Sequence, residues 1–343
     1  MVPAAGAVLA ALLTAAPVSQ QAPDAVCPVT DDRLTEISGL TTDQNGYVVI
    51  NDGVDESSGR RIFFLDRRCR VKKTVSYPSR PRDTEDLARG PDGTLWVGDI
   101  GDNSRDRATI ALWRLAPGAK KPTLLRMSYP DGAHDAEALL IAADGTPVVV
   151  TKDPMTAGIY VPTAQLSAEK TTPLRRAGDV AIPVTGTSNP FGLPGTLVVT
   201  GGATSADGRR AVLRTYADAF DFDVPDGDLV RALSEGKPTV IALPDEPQGE
   251  SVAYSADGTS LLTISEVTGD SKSADLLRYP LPEPVAAPAP TSSAPPAPAP
   301  ASSAPAALEP VKDSDGLPIG LIVAGVGLLL AAGALGIVVA RRR

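Results

Sequence analysis

Histidine is almost missing from this 343-residue chain: His134 is alone. That excludes multi-histidine metal centres and leaves at most one imidazole for general base work. Cysteine is nearly as scarce, with only Cys27 and Cys69, and they form no Cys-x-x-Cys motif. No Gly-x-Ser-x-Gly elbow, His-Glu-x-x-His helix or Walker loop occurs, so the common nucleophile, zinc-protease and nucleotide signatures are all absent. Basic residues are also in deficit, 32 Lys and Arg against 41 Asp and Glu, for a net charge of -9. A chain without a basic surface is a poor partner for nucleic acid or anionic lipid, and neither is expected.

Long apolar runs occur only at the two ends. Residues 317–340 carry no charge and are followed by Arg341, Arg342 and Arg343. Twenty-four residues make a helix of about 36 Å, enough to cross a hydrocarbon core of about 30 Å. The arginines place residues 341–343 in the cytoplasm, so the chain is expected to be a single-pass membrane protein with its N-terminal part outside the cell. Residues 1–25 read as a signal peptide, with an apolar segment over 4–16 and small residues near Ala22 and Ala25 for cleavage, although no Lys or Arg precedes the apolar segment. Export puts the two cysteines in an oxidising compartment, and a Cys27–Cys69 disulfide is expected. Residues 284–316 are dominated by Pro, Ala and Ser, a composition with nothing to bury and a bias to polyproline II. They form a stalk whose Pro-rich part spans about 80 Å when extended. Leu317-Pro318-Ile319-Gly320 before an apolar run resembles a sortase signal but lacks its Thr-Gly, so the anchor is expected to stay.

Residues 26–283 repeat. Four segments start with Glu, run through a short apolar stretch, turn at Asn-Gly or Asp-Gly and resume as β-rich sequence: from Glu36 to Asn45-Gly46, Glu85 to Asp92-Gly93, Glu137 to Asp144-Gly145, and Glu250 to Asp257-Gly258. A fifth copy keeps Asp207-Gly208 and Ala211-Val212-Leu213-Arg214. The first three glutamates lie 49 and 52 residues apart, and Glu250 lies two such periods after Glu137. Hairpins at a period near fifty predict an all-β fold, a β-propeller of five four-stranded blades, or six if residues 185–200 form another. A β-sandwich is the alternative. Leu229 to Leu233 is the one short helix expected in this region, N-capped by Asp226 or Asp228.

In such hairpins the residue ending the second strand returns to the face where the glutamate began. One rim therefore collects Glu36, Glu85, Glu137 and Glu250 with Asn51, Asp52, Asp99, Asp102, Asn103, Lys152, Arg214 and Glu266. Converging carboxylates suit Ca²⁺, with Glu85, Asp99, Asp102, Glu137 and Glu250 as candidate ligands. Three alternatives stay open. The glutamates can accept backbone N–H bonds from neighbouring blades, Asp99-Ile100-Gly101-Asp102-Asn103 can be a self-capped turn, and Lys152 and Arg214 can hold an anion or pair with ring carboxylates. His134 is expected in a surface loop.

Ile37-Ser38-Gly39-Leu40, Thr84-Glu85-Asp86-Leu87-Ala88, Val97-Gly98-Asp99-Ile100-Gly101-Asp102-Asn103, Ala136-Glu137-Ala138-Leu139, Arg214-Thr215-Tyr216 and Gln248-Gly249-Glu250-Ser251-Val252-Ala253 resemble secreted bacterial propellers of the phytase-like, "esterase-like activity" family. Gluconolactonase-type propellers are more distantly similar. The resemblance implies Ca²⁺ at channel carboxylates and phosphoester hydrolysis, while the sparse basic rim departs from what a highly phosphorylated substrate needs. Two functions are expected in turn: a non-catalytic propeller binding a cell-envelope ligand or partner at its acidic rim, or a Ca²⁺-dependent hydrolase of phosphoesters, esters or lactones.

Overall fold

The computed structural model describes residues 22–282 apart from 44, 55 and 270. The stalk, the membrane helix, the basic tail and all but the end of the signal peptide lie outside the described residues, within which no helix is long and apolar enough to cross a membrane.

The described chain is nearly all β. Its first antiparallel meander is β2 (Ile37–Asp43), β3 (Gly46–Asn51), β4 (Arg61–Asp66) and β5 (Val71–Ser76), preceded by β1 (Asp24–Val29). Next come β6 (Asp86–Arg89), β7 (Leu95–Asp99), β8 (Ile110–Leu115) and β9 (Thr123–Ser128), then β10 (Ala136–Ile141), β11 (Pro147–Thr151), β12 (Thr156–Pro162) and β13 (Thr172–Ala181). A short parallel pairing of Thr172 and Pro173 with Met127 and Ser128 joins these two meanders into an eight-stranded sheet. A further sheet holds β14 (Gly201–Thr204), β15 (Arg210–Arg214), β16 (Asp218–Asp223) and β17 (Thr239–Ala242). In the last, β18 (Gly249–Tyr254), β19 (Ser260–Ser265) and β20 (Ala274–Pro280) are completed by β1, which pairs antiparallel with β20.

The leading strands β2, β6, β10, β14 and β18 pack against one another in cyclic order, and β18 returns to β2. That closed ring makes the fold propeller-like. The sheets bury apolar faces against their neighbours: Val48, Ile50 and Ile62 meet Leu87, Val97 and Trp113, and Ala203 and Val212 meet Val252 and Leu261. Burying a side chain of this size contributes roughly 1.5–3 kcal/mol. Strand β1 makes the first residues of the domain part of its last sheet. The Cys27–Cys69 disulfide forms and fastens β1 to the β4–β5 turn, with the Cα atoms 5.8 Å apart.

The recurring Asp-Gly pairs are the turns between first and second strands. Gly93, Gly145, Gly208 and Gly258 sit at φ of 81°, 86°, 69° and 71°, where a Cβ is disfavoured. In each the aspartate accepts the backbone N–H two residues on, as in Asp92 from Thr94 and Asp257 from Thr259. The segment expected to supply a sixth repeat has no strand between 182 and 200, only a 3-10 turn at Leu193–Thr196. Its flank is tied down instead by the Thr185 and Thr187 hydroxyls, both donating to buried Asp218. Helix α1 (Leu229–Glu235) forms where expected, and Asp228 is its cap, accepting from Arg231 N at 3.0 Å.

Candidate functional site

At the end of the ring where the leading strands begin, the backbone itself aims carboxylates inward. A β-bulge interrupts β2 between Ile37 and Gly39, β10 between Ala136 and Ala138, and β18 between Gly249 and Ser251. The extra residues are Ser38, Glu137 and Glu250. A bulge re-aims a side chain without breaking the sheet. Glu85 stands just before β6, with its N–H bonded to Gly98 O at 2.8 Å. A second tier follows the second strands, where Asp52, Lys152 and Glu266 each donate a backbone N–H to the residue two before the bulge: Glu36 O, Asp135 O and Gln248 O.

The side chains meet in two groups that share one residue. Oxygens of Asp52, Glu250 and Glu266 lie within 4.8 Å of one another, as do those of Asp52, Asp83 and Glu85. Glu85 and Glu250 are 3% and 4% exposed. Glu250 Oε1 accepts from the Tyr216 hydroxyl at 3.1 Å, while its buried Oε2 has no hydrogen-bond partner. Glu137 is engaged by Lys152, whose Nζ lies 2.5 Å from Oε1 and 5.9 Å from the centre of the Tyr216 ring. Among the described residues Lys152 is the ammonium facing this mouth. The approach is tight, since a Cβ on Gly101 would stand 1.9 Å from Glu85 Oε1.

Two unit charges about 4 Å apart repel by about 4 kcal/mol at the effective dielectric of a partly buried pair. Burial first and mutual repulsion second hold the carboxyls of Asp52, Glu85 and Glu250 well above the usual carboxylate range. Burial, then the nearby Glu36, pushes Glu266 up to about 7. Glu137 is raised by burial although Lys152 opposes it. Burial pulls Lys152 down, but Glu137, Tyr216, Glu250 and Glu85 outweigh it and keep the ammonium firmly charged. Repulsion of this kind is relieved by protonation or by a cation that takes oxygen ligands.

Several expected rim residues are placed elsewhere. Asp99 accepts from the N–H groups of Arg82 and Asp83, from Arg107 Nη2 at 2.9 Å and from Trp113 Nε1 at 3.2 Å. Asp102 caps the following turn through the N–H groups of Asp106 and Arg107, and Asn103 is exposed beyond it. Of the two readings of this segment, the self-capped turn is the one realised. Arg214 is 0% exposed and bonded to Glu246 at 3.1 Å and to Ser251 O, so it makes a structural ion pair, but with Glu246 rather than with a ring carboxylate. Asn51 is buried and donates to Arg33 O and Gly59 O. Glu36 is exposed and two residues out of register, Ser38 holding the place that Glu137 and Glu250 hold in their strands. Backbone stapling by a carboxylate does occur, but at Asp86, which accepts from Leu87, Leu139 and Gly202 N–H across three leading strands. Burial raises it to about 8 against those donors. His134 is partly buried rather than a loose surface side chain, bonded to Asp131 at 3.1 Å and to the Tyr160 hydroxyl at 3.0 Å.

Two participants were not among the expected rim residues. Asp83 precedes Glu85 by two, the offset of Glu36 from Ser38, and that register was the available signal. Tyr216 follows Arg214 by two and reaches Glu250, while its ring packs on Phe191 at 4.3 Å.

No protein-family model and no curated protein matches the chain. Solved structures similar to it include hydrazine synthase from Kuenenia stuttgartiensis, with TM-score 0.39, 13% identity and 71% of this chain against 96% of that one. Luciferin-regenerating enzyme gives 0.39, 15%, 71% and 76%. The PQQ-bound form of aldose sugar dehydrogenase from Streptomyces coelicolor gives 0.42, 11%, 77% and 99%. At these values none lends this chain its chemistry, which rests on the mouth itself.

Proposed function

We propose that this chain is a five-bladed extracellular propeller, held at the membrane by residues 317–340, that binds a divalent cation such as Ca²⁺ at its acidic mouth and through it an envelope ligand or partner. The observation that carries the reading is the pair of carboxylate groups sharing Asp52, with one buried Glu250 oxygen left without a donor. An all-oxygen donor set suits a hard cation, with Asp52, Asp83, Glu85, Glu250 and Glu266 as ligands. The cation would supply a charge on which an anionic group of the ligand can rest.

The chain's course supports an anchored display. Asp24 pairs with Arg278, and Pro280 pairs with Ser260, so the described chain enters and leaves at the Asp-Gly turn end of the ring. Strand β1 begins at Asp24, so signal cleavage after Ala22 keeps it whole, whereas cleavage after Ala25 removes two of its residues.

A second reading, a Ca²⁺-dependent hydrolase of the phytase-like kind, draws on Glu266. In that reading Glu266 leaves the ligand set to Asp52, Asp83, Glu85 and Glu250, and a carboxyl pushed up to about 7 beside them has the proton affinity of a general base at neutral pH. Lys152 would steady an anion in that case; Arg214 is too deeply paired to help. The full chain in detergent, melted with Ca²⁺ and with chelator and assayed on phosphoesters, esters and lactones, tests both. A rise in melting temperature with Ca²⁺ and no turnover is expected. Turnover that depends on Ca²⁺ and is lost in Glu266→Gln would install the second reading, and indifference to Ca²⁺ would remove both.

A further inference from the structure

We infer that Lys152 is a resident counter-cation: its ammonium fills one of two cation places in the acidic mouth and so restricts the propeller to a single divalent ion on the Asp52 side. The inference rests on the reading of the mouth as a cation site and deepens it by fixing how many ions the mouth takes and where.

The repeat supplies the first argument. Asp52 after β3, Lys152 after β11 and Glu266 after β19 make the same backbone hydrogen bond to the segment before the leading strand, at 2.7, 2.9 and 3.3 Å. They are equivalent positions, and at two of them the side chain is a carboxylate within a ligand-like group. At the third it is a lysine whose Nζ lies 2.5 Å from the bulge glutamate of its own sheet. The bulge glutamate of the β18 sheet is the contrast, since Glu250 meets Glu266 and keeps Oε2 without a donor. One fold position thus carries both arrangements, with the positive charge built in at Glu137 and left to be supplied at Glu250.

Surroundings supply the second argument. The groups that act on Lys152 are Glu137, Tyr216, Glu250 and Glu85, all of the mouth, and the side chain is mostly buried. An ammonium among three carboxylates and an aromatic face is held as a bound cation is held. Removing its charge leaves Glu137 in the position that Glu250 holds in the Ca²⁺-free chain, a buried carboxylate without a cation.

The test is Ca²⁺ bound per chain, measured by calorimetry and equilibrium dialysis on the full chain in detergent. The native chain is expected to bind one ion, and Lys152→Gln two. Lys152→Arg, which keeps the charge, is expected to stay at one, and the double variant Lys152→Gln with Glu137→Gln to return to one. If Lys152→Gln folds poorly without Ca²⁺, addition of Ca²⁺ is expected to restore its melting transition. An unchanged count with affinity within twofold of native, or failure of Lys152→Gln to fold at any Ca²⁺ concentration, overturns the inference. Native chain and variants all binding none would instead defeat the underlying cation reading. A native chain binding none beside a Lys152→Gln variant binding one would keep the counter-cation role while removing that reading.

Discussion

Asp99 and Glu250 are equally deep, 3% and 4% exposed, one ending a second strand and the other opening a leading strand, yet their surroundings are opposite. Asp99 is saturated with donors: two backbone N–H groups, an arginine and an indole. Glu250 has one phenol on one oxygen and other carboxylates around the rest. Acidity and burial are shared; the supply of donors is not. A buried carboxylate with its acceptors filled is part of the scaffold, and one without them holds a proton or a cation.

That contrast can be broken experimentally. The largest effect is expected at the saturated site: Asp99→Asn leaves buried Arg107 without its counter-charge and should lower unfolding free energy by about 3–5 kcal/mol, with Ca²⁺ response unchanged. Denaturant melts check it, and a lost Ca²⁺ response with little destabilisation would blur the distinction. Opening the Cys27–Cys69 clasp with paired serines should cost about 3–4 kcal/mol by the same measurement and again spare the mouth.

The unsaturated site should show its character in pH. The folded Glu266 carboxyl, at about 7 against an ordinary 4.5, holds its proton where the unfolded chain has lost it. The native state therefore binds more protons between pH 4.5 and 7, and stability of the Ca²⁺-free chain should fall as pH rises through that window, by up to about 3 kcal/mol. Melts across pH 4 to 8 should show this decline in chelator and a smaller one in Ca²⁺. The smallest expected effect is Glu250→Gln, which removes a carboxylate that has too few donors. It should stabilise the Ca²⁺-free chain, on the order of 1 kcal/mol, and weaken its response to Ca²⁺.

Much of this architecture was legible in the sequence because it repeats. Asp-Gly pairs at a period near fifty marked the turns, and the logic of hairpins brought Asp52, Lys152 and Glu266 to the end that holds Glu85, Glu137 and Glu250. Bulges were not legible. The same bulge recurs in β2, β10 and β18, so it is not what sets Glu36 apart: Glu36 lies ten residues before its turn glycine where Glu85, Glu137 and Glu250 lie eight before theirs, and that count puts Ser38 in the equivalent place. Nor could the sequence separate Asp99 from Glu250, because donor supply is a tertiary property. Arg107 and Trp113 reach Asp99 from 8 and 14 residues away, and Arg214 meets Glu246 across 32.

On the proposed reading, the acidic mouth binds a cation that the chain does not itself provide. The direct measurement is the melting temperature of the full chain against Ca²⁺ concentration, with Glu250→Gln and Asp99→Asn alongside. Saturation at about 100 times the dissociation constant should add about 2.7 kcal/mol, or roughly 5–10 °C, to the native chain. Asp99→Asn, starting lower, should rise by a similar amount, and Glu250→Gln should rise far less. A native melting temperature that does not move between chelator and millimolar Ca²⁺ would contradict the account.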